Sequence, residues 1–387
     1  MTDLMKEQAP VIVLGSGLAG YSFVRELRKL DTSTPVLMIT QDDGHSYSKP
    51  MLSTGFTKNK TADELSMADP GKMAQQLNIS IRTFTQVTAI DAEKSRVLIG
   101  KEAVSYSKLV LALGAKVNKL NFPGSSLPRV VSINDLMDYR HFRSLLPKHG
   151  HVLIMGAGLI GCEYANDLLN DDYKVTLVDP SVTPMNGLIP PEAGQQLAKG
   201  LEHAGVHLKM QQHVHEITEL EHDQLCATLN DGHKVICDLV ISAIGLKPNI
   251  ELAREAGLHC NRGIITNDYL ESSAANIFAL GDCAETEQEV RLYVLPLMAS
   301  ARALAKTIAG ERTPVKFDIM PVVTKTPVCP VVVVPPGNKS GNWFFEPGEN
   351  LDLTGRFLGP QDTLEGFVLT GASVSDKTKL IQEMKNK

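Results

Sequence analysis

Two short stretches of the chain have the residue types and spacing to do chemistry: Gly15-Ser16-Gly17-Leu18-Ala19-Gly20 and Gly156-Ala157-Gly158-Leu159-Ile160-Gly161. Both follow the pattern G-x-G-x-x-G. In such a turn the first glycine permits the tight bend and the second lets backbone approach a pyrophosphate. The third lets the following helix pack close to the preceding strand, and the N–H groups at that helix start then face the phosphates. After the second stretch, Asp179 stands eighteen residues past Gly161, at the end of an apolar run. A carboxylate there accepts both ribose hydroxyls of NADH and repels a 2′-phosphate. No Arg sits beside it to welcome one, so NADH is favoured over NADPH. The first stretch lacks that acid. Thr40 occupies the place, followed by Gln41, Asp42 and Asp43. The hydroxyl and backbone of Thr40 and Gln41 could serve the ribose, or the next acids could reach over. Both remain open at this point.

The elements that would position these groups follow a repeated scheme. Ala9–Leu14 is an apolar run leading into the first glycine turn and a helical pattern to Leu30; His151–Met155 leads into the second and a helical pattern to Leu169. A further apolar run follows each, Val36–Ile39 and Val175–Val178. Strand, turn, helix and strand make a βαβ crossover in a parallel sheet. Leu109–Ala115, Leu239–Ala243 and Asn276–Leu280 read as three more short strands, and Leu297–Ala309 as a small-residue helix. Beyond it Val322–Thr324, Val331–Val334, Trp343–Phe345 and Phe367–Leu369, punctuated by Pro and Gly, predict a small strand-rich domain. The fold class is α/β, with two Rossmann-like domains and a small α+β C-terminal domain.

Composition narrows the function. The 387 residues are 43% hydrophobic and 21% charged, and 38 basic against 44 acidic residues leave a charge of −6, which argues against a nucleic-acid binder. The middle third, 116–245, holds 10 basic and 15 acidic residues and carries most of the negative excess. No apolar run is long enough to span a membrane, and the charged N-terminus has no apolar signal core, so the cytoplasm is expected. Six cysteines, no two closer than eleven residues, form no C-x-x-C or C-x₄-C redox pair and no zinc-knuckle spacing. The His203/His207 and His213/His215 pairs lie among polar residues, and no metal site is expected.

The ordered set of first glycine turn, Leu111-Ala112-Leu113-Gly114-Ala115, second glycine turn with Glu163, Gly245-Leu246-Lys247-Pro248 and Phe278-Ala279-Leu280-Gly281-Asp282 resembles the glutathione-reductase-type flavoprotein pyridine-nucleotide oxidoreductases. The resemblance covers residues 10–310. It implies FAD, held non-covalently on the first unit, and NAD(P)H on the second, which is inserted into the FAD domain. The expected domains are 1–115 (FAD, first part), 116–245 (NADH), 246–315 (FAD, second part) and 316–387 (C-terminal). A finer resemblance, to the rubredoxin–NAD reductases, rests on Ser46–Phe56, Gly161-Cys162-Glu163, Gly281-Asp282-Cys283-Ala284-Glu285 and Lys325-Thr326-Pro327-Val328-Cys329-Pro330. It implies a monomer that passes electrons from NADH through FAD to two rubredoxins, one at a time, in support of alkane hydroxylation. Without a cysteine pair, the flavin must itself hand electrons to an outside acceptor. Ferredoxin or flavorubredoxin reductase, a nitrite-reductase-type component, an NADH oxidase and a slow redox sensor are the alternatives.

Residue by residue, the resemblance assigns Gly15, Ser16, Gly17, Leu18, Ala19 and Gly20, with Thr40 and Gln41, to FAD. It adds Asp282 toward the ribityl–pyrophosphate region, and Val87, in a strand, toward the adenine. Val294 meets the flavin pyrimidine through its N–H, just before a helix begun by Pro296. Lys49 and Lys325 are cations beside the flavin ring, and Glu163 is the acid between flavin and nicotinamide. Gly156, Gly158, Gly161 and Asp179 go to NADH. Each has a plainer competitor: an exposed loop lysine for Lys49 and Lys325, a helix-start acid for Glu163, a turn acid for Asp179 and Asp282, and buried core for Val87. Lys58 and Lys60, just after the flavin-proximal loop, are expected at the rim where an acidic rubredoxin docks, away from the NADH domain.

Overall fold

A computed structural model describes residues 9–337 and 340–386. The chain divides into two compact units, one of residues 1–49, 66–116 and 246–318, the other of 50–65, 117–245 and 319–387. The first is built on a five-stranded sheet in the order Ile277–Ala279, Lys108–Leu111, Val11–Leu14, Val36–Ile39, Ser80–Arg82, all parallel. A strand buried on both faces must be apolar at every position, which is why Val11–Leu14 reads as an unbroken run. Val11 and Val13 point into one core, which holds Phe23, Val24 and Leu27 of the helix Leu18–Leu30 and Ala301, Leu304 and Ala305 of the helix Val294–Ile308. Ile12 and Leu14 point into the other, with Ile90, Val97 and Tyr106. The two helices lie against each other, and the alanines of Val294–Ile308 allow that approach.

The second unit repeats the plan. Its parallel sheet runs Val130–Val131, Leu239–Ser242, His151–Met155, Lys174–Asp179, His207–Met210. The helix Leu159–Leu169 follows the strand His151–Met155, and a three-stranded antiparallel sheet (Val214–Glu219, Leu225–Leu229, Lys234–Cys237) closes a core with Leu153, Met155 and Val240. The same unit contains a five-stranded antiparallel sheet in the order Val322–Val323, Val331–Val334, Leu364–Thr370, Leu353–Leu358, Asn342–Pro347. The C-terminal helix Lys377–Lys385 buries Leu380 and Met384 against Phe367 and Leu369 of that sheet.

Differences from the sequence expectations lie at element ends and in elements that the apolar pattern does not show. The helix expected from Leu297 begins at Val294, with Pro296 already inside its first turn where its missing N–H costs nothing. Val294 therefore starts the helix instead of preceding it. Val87 lies in an irregular segment just before the strand Ala89–Asp91, not in a strand. The strand Leu353–Leu358 had no counterpart in the expected pattern, because Gly355 and Arg356 break the apolar run, and the terminal helix Lys377–Lys385 had none either. No helix among the described residues is long and apolar enough to cross a membrane.

Among the described residues of the first unit, one buried side-chain polar atom has no partner, the Tyr106 hydroxyl, and burial pushes its pKa up. A hydroxyl buried without a hydrogen bond costs roughly 1–3 kcal/mol. Tyr106→Phe should therefore hold or raise the thermal midpoint of the first unit; a clear fall in calorimetry would show that the hydroxyl has a partner that stabilises the fold.

Candidate functional site

The two glycine turns are nearly superimposable in their physics. Gly15 has φ +110° and Gly156 φ +101°, a region open to glycine and closed to most side chains. A Cβ on Gly15 would lie 2.3 Å from the Ala112 carbonyl oxygen, and one on Gly156 2.5 Å from that of Ala243. A Cβ on Gly20 would lie 2.0 Å from the Gly15 carbonyl oxygen, and one on Gly161 within 1.9 Å of that of Gly156. The outer glycines thus clamp the helix onto the strand end. The middle glycines differ: a Cβ on Gly17 or Gly158 meets nothing within 4 Å. Both are helix N-caps in extended conformation, and neither helix has a side-chain cap. Backbone N–H groups at the start of each helix are thus left for something outside the fold. An anionic pyrophosphate fits this twice: open space over the middle glycine, free donors and the positive end of a helix dipole.

Asp179 sits at the end of its strand, beside the second turn. Its Oδ2 accepts the Ala157 N–H at 2.7 Å and its Oδ1 the Ser181 N–H at 2.7 Å. Each carboxylate oxygen keeps a second lone pair that can accept a ribose hydroxyl. In the first unit Thr40 is buried, and its hydroxyl donates to Asp42 Oδ1 at 2.7 Å, while Gln41 is exposed. Ser16 is buried, and its hydroxyl also donates to Asp42 Oδ1, at 2.8 Å. Leu18 and Ala19 open the helix and pack into the core of the first unit. Ala19 lies against Gly281, whose φ is +74°, and this contact brings Asp282 to the first turn. Burial pushes the Asp282 carboxyl above the usual carboxylate range, and the charge of Lys49 opposes that shift, which places the two within electrostatic reach. Val294 begins its helix at the N-cap Tyr293, again without a side-chain cap.

Glu163 and Lys325 belong to the second unit and are bound to each other. Glu163 is 0% exposed; its Oε1 accepts the Lys325 N–H at 3.0 Å, and its Oε2 accepts Ser53 Oγ at 2.6 Å and Lys325 Nζ. Sequence reasoning missed the residues next to it. Asn166 accepts the Val328 N–H at 3.2 Å through Oδ1. Asp167 accepts the N–H groups of Phe56 and Thr57 at 3.2 and 2.7 Å and the Thr57 hydroxyl at 2.6 Å. Burial raises the Asp167 pKa against these hydrogen bonds. Residues i, i+3 and i+4 share a helix face, so one face of Leu159–Leu169 pins both the 53–57 segment and the 325–328 loop. Three polar residues at that spacing in an otherwise apolar helix were the available signal. The same segment carries Lys58 and Lys60, and Arg143 of the helix Leu136–Leu145 donates to the Lys60 carbonyl at 3.2 Å. The two lysines lie in the compact unit that holds both the second glycine turn and the C-terminal sheet.

The six cysteines are free thiols, five of them buried. Burial pushes Cys283 to about 12 and raises Cys162 further. No cluster of three or more His, Cys, Asp or Glu among the described residues could hold a metal ion.

The glycine geometry separates two kinds of variant. Gly17→Val should fold with an unchanged apoprotein melting temperature yet exclude a bound dinucleotide, and Gly158→Val should do the same for the second turn alone. Gly15→Val should instead destabilise the unit, since its side chain strikes the Ala112 carbonyl before it reaches any ligand. Equal melting temperatures for the Gly15 and Gly17 variants would refute this division. For the buried pair, Lys325→Met strands a carboxylate with no counter-charge, a loss of about 3–5 kcal/mol. Glu163→Gln leaves a lysine whose side chain is 31% exposed and can turn to water, so its loss should be smaller. The reverse order in denaturant titrations would mean that the lysine, not the acid, is the costly member.

A family model for pyridine nucleotide-disulphide oxidoreductases matches residues 9–302, and one for a rubredoxin binding C-terminal domain matches 314–384. The chain is 49% identical to the rubredoxin-NAD(+) reductase of Alcanivorax borkumensis over 376 residues, 97% of this chain and 98% of that one. It is 41% identical to the rubredoxin-NAD(+) reductase of Acinetobacter baylyi over 387 aligned positions, with the same coverage. Among solved structures, a ferredoxin reductase of Rhodopseudomonas palustris is similar with a TM-score of 0.86 at 26% identity, over 96% of this chain and 93% of that chain. Two clamped glycine turns, each ahead of an uncapped helix, are the structural counterpart of these likenesses, and the chain belongs to the pyridine nucleotide-disulphide oxidoreductase family.

Proposed function

We propose that this protein is an NADH-dependent flavoprotein reductase that passes electrons through non-covalently bound FAD to two rubredoxins, one at a time. The observation that carries the reading is the pairing of two dinucleotide cradles with a C-terminal segment matching a rubredoxin binding domain, in a chain without a redox cysteine pair. FAD supplies the chemistry when bound: it takes a two-electron hydride and gives up electrons singly. The protein's part is to bind, orient and set charge. Gly15–Gly20 and the uncapped helix start receive the FAD pyrophosphate, with Asp282 and Lys49 beside them, Val87 toward the adenine and the N-terminus of Val294–Ile308 toward the flavin. Gly156, Gly158 and Gly161 receive NADH. Asp179, held to the turn by the Ala157 N–H, accepts its ribose hydroxyls and disfavours a 2′-phosphate. Glu163 and Lys325 are assigned as an ion pair to the flavin–nicotinamide region, with the buried acid positioning the lysine.

Cytoplasmic placement, a monomeric state and a role in alkane hydroxylation belong to the same proposal; they follow from NADH as the donor and from the likeness to rubredoxin–NAD reductases. Relatives named nitric oxide reductase FlRd-NAD(+) reductase, at 34% identity in Vibrio vulnificus, make a flavorubredoxin the natural competitor as acceptor.

The purified protein should be yellow and release FAD on denaturation. In steady-state assays, rubredoxin should be reduced at least tenfold more efficiently than a flavorubredoxin, a two-iron ferredoxin or oxygen, and NADH should exceed NADPH by about tenfold or more, the scale of one charged hydrogen-bonding contact. Equal use of NADPH would remove Asp179 from its assigned role, and preference for another acceptor would overturn the rubredoxin assignment.

A further inference from the structure

The first glycine turn lacks an acid at the strand end, and the residue standing there is already committed. The Thr40 N–H donates to the Arg82 carbonyl at 2.9 Å, and its own carbonyl accepts the Thr85 N–H at 2.8 Å. Its hydroxyl is given to Asp42, and the next side chain, Gln41, is exposed to solvent. Asp42, two residues past Thr40, gathers three donors on one oxygen. Ser16 Oγ at 2.8 Å, Thr40 Oγ1 at 2.7 Å and the Gly44 N–H at 2.9 Å all reach Oδ1. The other oxygen, Oδ2, accepts no hydrogen bond from the described residues.

The second unit supplies the comparison. Ser16 and Ala157 hold the same place in their turns, between the first and second glycines. Ala157 is tied to an acid through its backbone N–H, and Ser16 is tied to one through its hydroxyl. The acid is Asp179 at the strand end in one case and Asp42 beyond it in the other. A serine side chain extends the reach of the turn, so an acid two residues later can still be locked to it. Both arrangements put a carboxylate beside an uncapped helix start with open space over the middle glycine.

We propose that Asp42 is the residue with which this chain holds the adenosine ribose of FAD, with Oδ1 keyed to the glycine turn and Oδ2 offered to the ribose hydroxyls. This rests on the flavoprotein reading above. Asp43 serves the bend instead, since its Oδ1 accepts the His45 N–H at 3.1 Å.

The test uses full-length apoprotein reconstituted with FAD, followed by flavin fluorescence. ADP and 2′,3′-dideoxy-ADP then compete for the site. Wild type should prefer ADP about tenfold or more, the scale of a hydrogen bond to a charged group. Asp42→Asn should weaken FAD binding by a similar factor and shrink the preference to about twofold, whereas Asp43→Asn should change neither. A purely structural role for Asp42 would weaken ADP and its dideoxy analogue alike and leave the preference intact, which overturns the proposal. So does a wild type that fails to distinguish the two nucleotides, a result that needs no variant to fold. Wild-type apoprotein that takes up no FAD at all overturns the flavoprotein reading itself, so the two failures are told apart.

Discussion

The rest of the structure depends on how closely a helix can approach the strand before it. In each unit the third glycine of the turn sits where any Cβ would be about 2 Å from the first glycine's carbonyl oxygen. That contact sets the helix axis over the strand end and aims its first N–H groups outward. It also fixes what the middle residues can be. The second glycine opens onto space, while the residue before it faces an acid that braces the turn. A phosphate site of this kind needs no charged side chain at the phosphate itself, because oriented backbone dipoles supply the field.

A second constraint governs the helix Leu159–Leu169. Its outward positions are not solvated; Glu163, Asn166 and Asp167 are all buried. Buried polar groups are tolerated only when every one is hydrogen-bonded. Here the donors come from segments remote in sequence, Ser53–Thr57 and Lys325–Val328. The acids that would be a liability alone thus fasten two loops to one helix. This explains why residues 50–65 and 319–387 share a compact unit with 117–245 although the chain leaves and returns to it.

What was legible in the sequence was what is local and periodic. The βαβ repeats, the glycine turns and the helix ends at Leu30 and Leu169 follow from apolar spacing and turn chemistry, and the structure places them there. Short strands such as Ser80–Arg82 were not legible, since three residues carry too little pattern to stand out. Nor could the sequence choose between Thr40–Gln41 and the next acids, because the hydrogen bonds of Asp42 depend on a bend at Gly44 and on a hydroxyl twenty-six residues away. The Glu163–Lys325 pair spans 162 residues, a separation at which spacing says nothing, and only family resemblance pointed to its two members. Long-range pairing of polar groups leaves no periodic trace.

The cysteines decide how the family's name applies to this chain. Cys162 lies in the first turn of Leu159–Leu169, where a helix dipole would ordinarily lower a thiol pKa. It is completely buried, however, and Asp179 and Glu163 both lie near enough to oppose a thiolate. Desolvation and two acids outweigh the dipole. Cys237 and Cys329 are likewise held near 12 and 11 by burial. A thiol that cannot ionise near neutral pH can neither attack a flavin nor exchange with a disulfide. The six cysteines are free thiols, and no two have the C-x-x-C or C-x₄-C spacing of a dithiol relay. Electrons entering at NADH must therefore leave from the flavin directly, and selection of the acceptor passes from cysteine chemistry to the surface the protein presents.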